Sequence, residues 1–205
     1  MLSAALARDF AMPSLRLLVS LALASSTLAL GCAPPPPAID PNASHPLRAS
    51  SEVYTLVNLH PDEDDRELSS VNYLDDDGLI PLCTPIRVTF LNTEGLDFTV
   101  LSSGRSYHYE FHKTMKESPS EHVAKFFGTS CDASVVATFD EIDQKGIREG
   151  KALEGMSKQA VLLAIGYPPE HETPSLEEDR WRYWESTFDK VDVIFENGRV
   201  SKIED

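Results

Sequence analysis

The sequence is short of cysteine, of positive charge and of long apolar runs, and each shortage removes a class of protein. Three cysteines in 205 residues are too few for a disulfide scaffold. Eighteen basic against 33 acidic side chains give a formal charge of −15. A surface of that sign repels nucleic-acid phosphates, so nucleic acid is excluded as a partner and a neutral or basic partner is expected. Beyond residue 31 no apolar run approaches the roughly 20 residues of a membrane span. The chain has no Gly-x-Ser-x-Gly elbow, His-Glu-x-x-His, Gly-rich phosphate loop or Cys-x-x-Cys, and so none of the local signatures of hydrolases, zinc proteases, nucleotide enzymes or thiol oxidoreductases. The expectation is a non-enzyme without catalytic residues, cofactor or metal.

What is present starts with an export signal. Residues 17–30 (LLVSLALASSTLAL) are a fourteen-residue uncharged apolar stretch after Arg16 and before Gly31-Cys32, the length of a signal-peptide core. Met12-Pro-Ser-Leu-Arg16 makes a short basic leader by itself, which points to translation starting at Met12. The only charges in residues 1–31 are Arg8, Asp9 and Arg16, so the remainder carries a net −16. Six of the fourteen prolines fall between Pro34 and Pro46. Four in a row fix φ near −65° and remove backbone donors, so residues 33–51 read as a tether rather than a folding unit. At about 3.1 Å per residue it reaches roughly 60 Å.

From residue 52 the pattern is short strands between turn residues: 53–57, 71–74, 79–82, 86–91, 96–101 and 107–111, with turns at 61–65, 75–78, 92–95 and 102–104. So many short strands in about 60 residues suggest a small barrel. Helices follow. Ser118-Pro-Ser-Glu121 is a complete capping box with Pro at the first helical position. Asp140 caps a second helix, weakened by Gly146. Ser157 caps a third, with Met156 and Val161 as a staple and Gly166 before Pro168-Pro169 as the stop. Residues 132–139 (DASVVATF) fit strand and helix equally. The last 30 residues return to strands at 180–184, 190–196 and 199–203, the last two joined by Asn197-Gly198, a strong two-residue hairpin signal. That turn pairs Phe195 with Val200 and Glu196 with Arg199.

Three segments resemble known families. Leu28-Ala-Leu-Gly-Cys32 resembles the lipobox of bacterial lipoproteins, which implies that Cys32 becomes a lipidated first residue and anchors the chain to a membrane. Ala33 after it implies the outer membrane, periplasm-facing. Asn72-Tyr-Leu-Asp-Asp-Asp-Gly-Leu-Ile-Pro-Leu-Cys-Thr84 with Ile86-Arg-Val88 resembles a bacterial SH3-like module, with Cys83 where that family's turn has Gly. Ile147-Arg-Glu-Gly150, Gly155-Met-Ser157, Val161, Ile165-Gly-Tyr-Pro168, Trp181-Arg-Tyr183, Val193-Ile-Phe195 and Gly198-Arg-Val200 are similar in order and spacing to the SmpA/OmlA (BamE-like) domain of outer-membrane lipoproteins, over about residues 140–205. The expected fold class is therefore α+β: an N-terminal small β-barrel-like, SH3-like piece, then helices packed on a three-stranded antiparallel sheet. The expected organisation is a signal peptide at 1–31, lipidated Cys and tether at 32–51, an SH3-like domain at 52–115 and a BamE-like domain at 116–205. The resemblance implies an accessory, non-catalytic role in envelope protein assembly, with outer-membrane barrel assembly components as partners. A peptidoglycan- or ligand-binding role for the SH3-like piece is the alternative.

Candidate sites are few. His108-x-Glu110-x-His112 lies on one face of a strand and Tyr107, Tyr109 and Phe111 on the other, better explained as a solvated face and a core face than as a metal site. Asp62, Asp64, Asp65 and Asp75 to Asp77 lack the ligand order of a calcium loop and read as solvated turns. With Cys32 lipidated, Cys83 and Cys131 remain, either as a disulfide in an oxidising compartment or as two separate thiols. Alternation puts Trp181 and Tyr183 under the helices and Trp184, with Arg182, on the open face, where an exposed Trp184 is the candidate partner anchor.

Overall fold

The computed structural model describes residues 47, 52–74 and 78–205, all within the compact unit Pro36–Asp205. The expected signal peptide, the expected lipid site at Cys32, the expected tether apart from Leu47, and the Asp75 to Asp77 run lie outside the described residues. No helix among the described residues is long and apolar enough to cross a membrane. Leu47, assigned by sequence to the tether, is buried in the first of two cores.

The fold is α+β. Its first part is a curled, mixed six-stranded sheet in the order β2-β5-β4-β3-β1-β6. The strands are β1 (Val53–Thr55), β2 (Glu67–Ser69), β3 (Pro85–Leu91), β4 (Gly95–Val100), β5 (Ser106–Glu110) and β6 (Phe127–Gly128). Strands β3, β4 and β5 form a meander that follows the sequence pattern closely. The Asn92 carboxamide oxygen accepts from the Glu94 and Gly95 amides at 2.7 and 2.8 Å and closes the β3–β4 turn, as a short Asx side chain does. In β5, Tyr107 and Tyr109 are buried and His108 and Glu110 exposed. Phe98 stands opposite Tyr107, their rings 5.5 Å apart.

Residues 71–74 and 79–82, expected as strands, are not. Asn72 and Tyr73 have φ of 81° and 62°, left-handed values that no strand holds, and Ile80 makes only an isolated bridge to Leu59. Conversely β2 and β6 carry no alternation long enough to read. Strand β2 exists because it pairs in parallel with β5, and β6 because it pairs with β1.

Helix α1 (Pro119–Phe126) has the expected capping box, with Ser118 and Glu121 bonding each other's backbone amides. It buries His122, Val123 and Phe126 in the first core, so α1 and β6, on the far side of the expected boundary at residue 116, pack with the six-stranded sheet. Residues Ala133–Thr138 are a 3₁₀ helix capped by Asp132.

Helices α2 (Glu141–Glu149) and α3 (Lys158–Ile165) pack on a three-stranded antiparallel sheet, β7 (Arg180–Trp184), β8 (Lys190–Glu196) and β9 (Arg199–Glu204). The second core is built from Ile147, Met156, Val161, Ile165, Trp181, Tyr183, Val193 and Phe195. Each fully buried aliphatic or Phe side chain contributes about 2 kcal/mol. Asp140 and Ser157 cap their helices as expected. Gly146 sits where a Cβ would come within 2.1 Å of the Met156 sulfur, so the glycine that weakens α2 locally is what admits Met156. Asp143 ties α2 to α3, accepting from the Ser157 amide at 2.7 Å and its hydroxyl at 2.9 Å. Asn197 and Gly198 turn the last hairpin at φ 52° and 77°, and Phe195 pairs with Val200 and Glu196 with Arg199.

The two cores are joined by residues 56–60, which run from β1 along the end of α3. The Asn58 amide donates to the Leu163 carbonyl at 2.9 Å. A disulfide links Cys83, in the turn before β3, to Cys131, beyond β6, with Cα atoms 5.4 Å apart.

Candidate functional site

Strand period 2 divides β7 and β8 into two faces. Trp181, Tyr183, Val191, Val193 and Phe195 point to the helices and are buried. Arg180, Arg182 and Trp184 on β7, and Lys190, Asp192 and Ile194 on β8, point the other way, and no described helix lies on that outer face. Arg182 is opposite Asp192 and Trp184 opposite Lys190.

Asp192 is the centre of this face. Its carboxylate is buried and accepts from both flanking guanidinium groups, from Arg182 Nε at 2.7 Å and Nη2 at 2.8 Å and from Arg180 Nε at 2.8 Å and Nη2. The hydrogen bonds from Arg182 outweigh the cost of burial and hold the Asp192 pKa below the ordinary carboxylate range. While both Arg180 nitrogens share Oδ2, Arg182 forms a fork, one nitrogen to each carboxylate oxygen, which fixes its guanidinium in one plane. The same bonds raise the pKa of Arg182.

The loop of residues 170–179 is bound down rather than loose. Thr173 is buried and its hydroxyl accepts the Arg182 amide at 2.9 Å on the edge of β7. Glu172 reaches over the face, 2.8 Å from Lys190 and 3.9 Å from Arg182. Lys158 at the start of α3 donates to the carbonyls of Leu176, Glu177 and Glu178 at 3.2, 3.2 and 2.7 Å, holding the far half.

Trp184, expected to be exposed, is half-buried. Lys190 covers its ring at 4.0 Å, its Nε1 is buried without a hydrogen-bond partner among the described residues, and its carbonyl accepts the Tyr73 amide at 2.9 Å. The Asn72-Tyr73 turn folds back onto the backbone at the end of β7, a contact across more than 100 residues that alternation cannot show. Among the described residues the large apolar side chain most open to water is Phe188, 89 % exposed, in the turn between β7 and β8.

The remaining candidates fall elsewhere. Cys83 and Cys131 are covalently joined. His108 binds Asp97 at 2.5 Å on the exposed side of the six-stranded sheet, while His112 Nδ1 meets the Thr114 hydroxyl at 2.9 Å. No cluster of three metal-ligating side chains occurs among the described residues. Asp62 caps its own turn, accepting from the Asp64 and Asp65 amides at 2.8 Å.

A buried chain of titratable groups escaped the sequence reading. Tyr109 donates to His122 Nε2 at 2.7 Å, His122 Nδ1–H donates to Glu117 at 2.6 Å, and Lys125 pairs with the same carboxylate. Tyr109 and His122 are both buried. The chain holds α1 to β5. Asp192, Lys190 and Glu172 were missed too. Alternation in β8 puts Lys190 and Asp192 on the face of Arg182, and pairing the hairpin by register would have found them. A cleft of about 440 Å³ opens below the sheet at the ends of α2 and α3, its floor formed by Leu74, Ile165, Val191, Val193 and Ile203.

No family model, curated protein or solved structure matches this chain.

Proposed function

We propose that this protein is an outer-membrane-anchored lipoprotein, a non-catalytic scaffold or accessory factor for envelope protein assembly that docks its partner on the outer face of β7–β8–β9. The observation that carries the reading is the one-sided packing of that sheet. Both helices lie on one face, and the other presents a fixed array of Arg180, Arg182 and Lys190 beside the half-buried Trp184. Two helices on one face of a three-stranded antiparallel sheet is also what the BamE-like resemblance of residues 140–205 implies. The Cys83–Cys131 bond suits an oxidising compartment, as export by a lipidated Cys32 requires. The test is co-purification from detergent-solubilised envelopes. The protein should bring down integral outer-membrane barrels, and Trp184→Ala, with unchanged circular dichroism, should lose them. Normal co-purification of the variant would overturn the docking face. Fatty-acid labelling of wild type but not Cys32→Ser checks the anchor.

One observation favours the second reading, a cell-wall-binding SH3-like piece. Cys83 has φ of 62°, the left-handed conformation that glycine adopts most readily, at the position where that family's turn carries Gly. Retention of the whole chain on purified sacculi would support it, and release in the wash would remove it.

A further inference from the structure

We propose that the outer face of the three-stranded sheet takes an acidic protein segment in extended conformation, with carboxylates at alternate residues. The proposal rests on the docking reading above and names the chemistry of the partner.

Composition points the other way, since a chain of charge −15 should repel acids. Around Asp192 the exposures reverse the expectation. Asp192 and Glu172 are the sunken groups, with side chains 9 % and 16 % exposed, while Glu204, opposite Asp192 on β9, is 41 % exposed and paired with Lys202. The bases stand above the two sunken carboxylates, 56 % for Arg180, 36 % for Arg182 and 33 % for Lys190. With the Lys202–Glu204 pair counted, four cations over three carboxylates leave one positive charge, and Asp192 and Glu172 hold Arg180, Arg182 and Lys190 in place. A preformed array of this kind loses little side-chain freedom on binding.

Spacing then selects the partner. Arg180 and Arg182 are two residues apart on one strand, roughly 7 Å at the rise of a β-strand. An extended segment with carboxylates at alternate residues repeats at the same interval, and each guanidinium can offer it a charge-assisted bond. A membrane surface fits less well. Charges separated by more than about 8 Å are screened from each other at physiological salt, so a narrow segment meets only the local cations. A broad anionic bilayer would meet the acidic remainder of the protein as well.

The experiment uses the whole chain and a fluorescein-labelled peptide of five Glu-Thr repeats, followed by anisotropy. Binding at low salt is expected, weakening by at least about tenfold in Arg180→Gln/Lys190→Gln, since charge pairs of this kind govern encounter and dissociation. Lack of binding at low salt, equal binding of the Lys-Thr peptide, or unchanged binding by the double variant would overturn the proposal. So would binding of phosphatidylglycerol vesicles without binding of the peptide. Should the double variant fold poorly, amide NMR shifts in the wild-type protein decide. Peptide-induced shifts confined to β7, β8 and residues 170–173 support the face, and shifts only elsewhere overturn it. Co-purification separates this proposal from the docking reading. If barrels are lost on Trp184→Ala but retained by the charge variant, the acidic partner falls and docking stands. If both variants retain them, both fall.

Discussion

The Asn58 side-chain amide donates to the Ile147 carbonyl at 2.7 Å, across 89 residues of sequence. The same Nδ2 donates to the Ala164 carbonyl at 3.2 Å, and the Asn58 Oδ1 accepts the Leu82 amide at 2.8 Å. One buried carboxamide thus satisfies carbonyls near the ends of α2 and α3, which have no partner inside their own helices, and fixes the segment before β3. Asn58→Leu leaves the Ala164 carbonyl to His60 at 3.0 Å and the Ile147 carbonyl to the Gly150 amide at 3.4 Å, so it should strand the Leu82 amide and cost about 1 to 3 kcal/mol. Urea unfolding measures it, and a loss under about 1 kcal/mol would mean that water replaces the amide.

Gly146 poses a contest between local and tertiary preference. Alanine is the better helix former by about 1 kcal/mol. Its Cβ, however, would meet the Met156 sulfur at 2.1 Å and the Lys151 carbonyl at 2.8 Å, and overpacking costs about 1 to 3 kcal/mol. Backbone cannot swing aside as a side chain can, so Gly146→Ala should lower stability. Pairing it with Met156→Ala should not restore the wild-type value, because the Lys151 carbonyl remains. A raised melting temperature for Gly146→Ala would contradict this.

The Tyr109–His122–Glu117 chain sets a pH dependence. Burial holds the His122 pKa below its ordinary value, with the Glu117 hydrogen bond opposing. On acidification the unfolded chain therefore takes up the proton first, and stability falls as pH drops below about 6.5. Burial works against the Glu117 carboxylate, but hydrogen bonds from His122 and Lys125 outweigh it and lower its pKa. Its contribution is complete above about pH 4.5 and is lost as pH falls through the folded value. Both effects destabilise in acid, in successive windows. His122→Gln should flatten the urea midpoint between about pH 6.5 and 5 relative to wild type. Parallel profiles for the two proteins would exclude His122 as the cause.

The Cys83–Cys131 bond closes a 48-residue separation, which restricts the unfolded chain by about 4 kcal/mol on the loop-entropy model. Cys83 also holds φ of 62°, costing a non-glycine residue about 1 kcal/mol. Among disulfide-free variants, Cys83→Gly/Cys131→Ala should therefore be more stable than Cys83→Ala/Cys131→Ala. Equal unfolding midpoints would show that the turn rearranges once the bond is gone.

The local part of the fold is legible in the chain. The capping box at Ser118, the Asp140 and Ser157 caps, the Asn197-Gly198 turn with its register, and the division of Trp181 and Tyr183 from Arg182 all depend on residues within a few positions of each other, where side chain and backbone dictate each other directly. The candidate face was half legible. Period 2 assigns Arg182 to it, but the burial of Asp192 depends on two guanidinium groups arriving from the neighbouring strand.

What the sequence determined alone was therefore the α+β class, the helix ends, the last hairpin and the acidic balance. The tertiary structure decided that β2 and β6 are strands, that α1 joins the first core, that the Asn72-Tyr73 turn bonds the backbone of Trp184 at the end of β7 and that Cys83 meets Cys131. Each of these rests on contacts between residues far apart in the chain, whose energy exists only once the segments are brought together, and no local pattern records it.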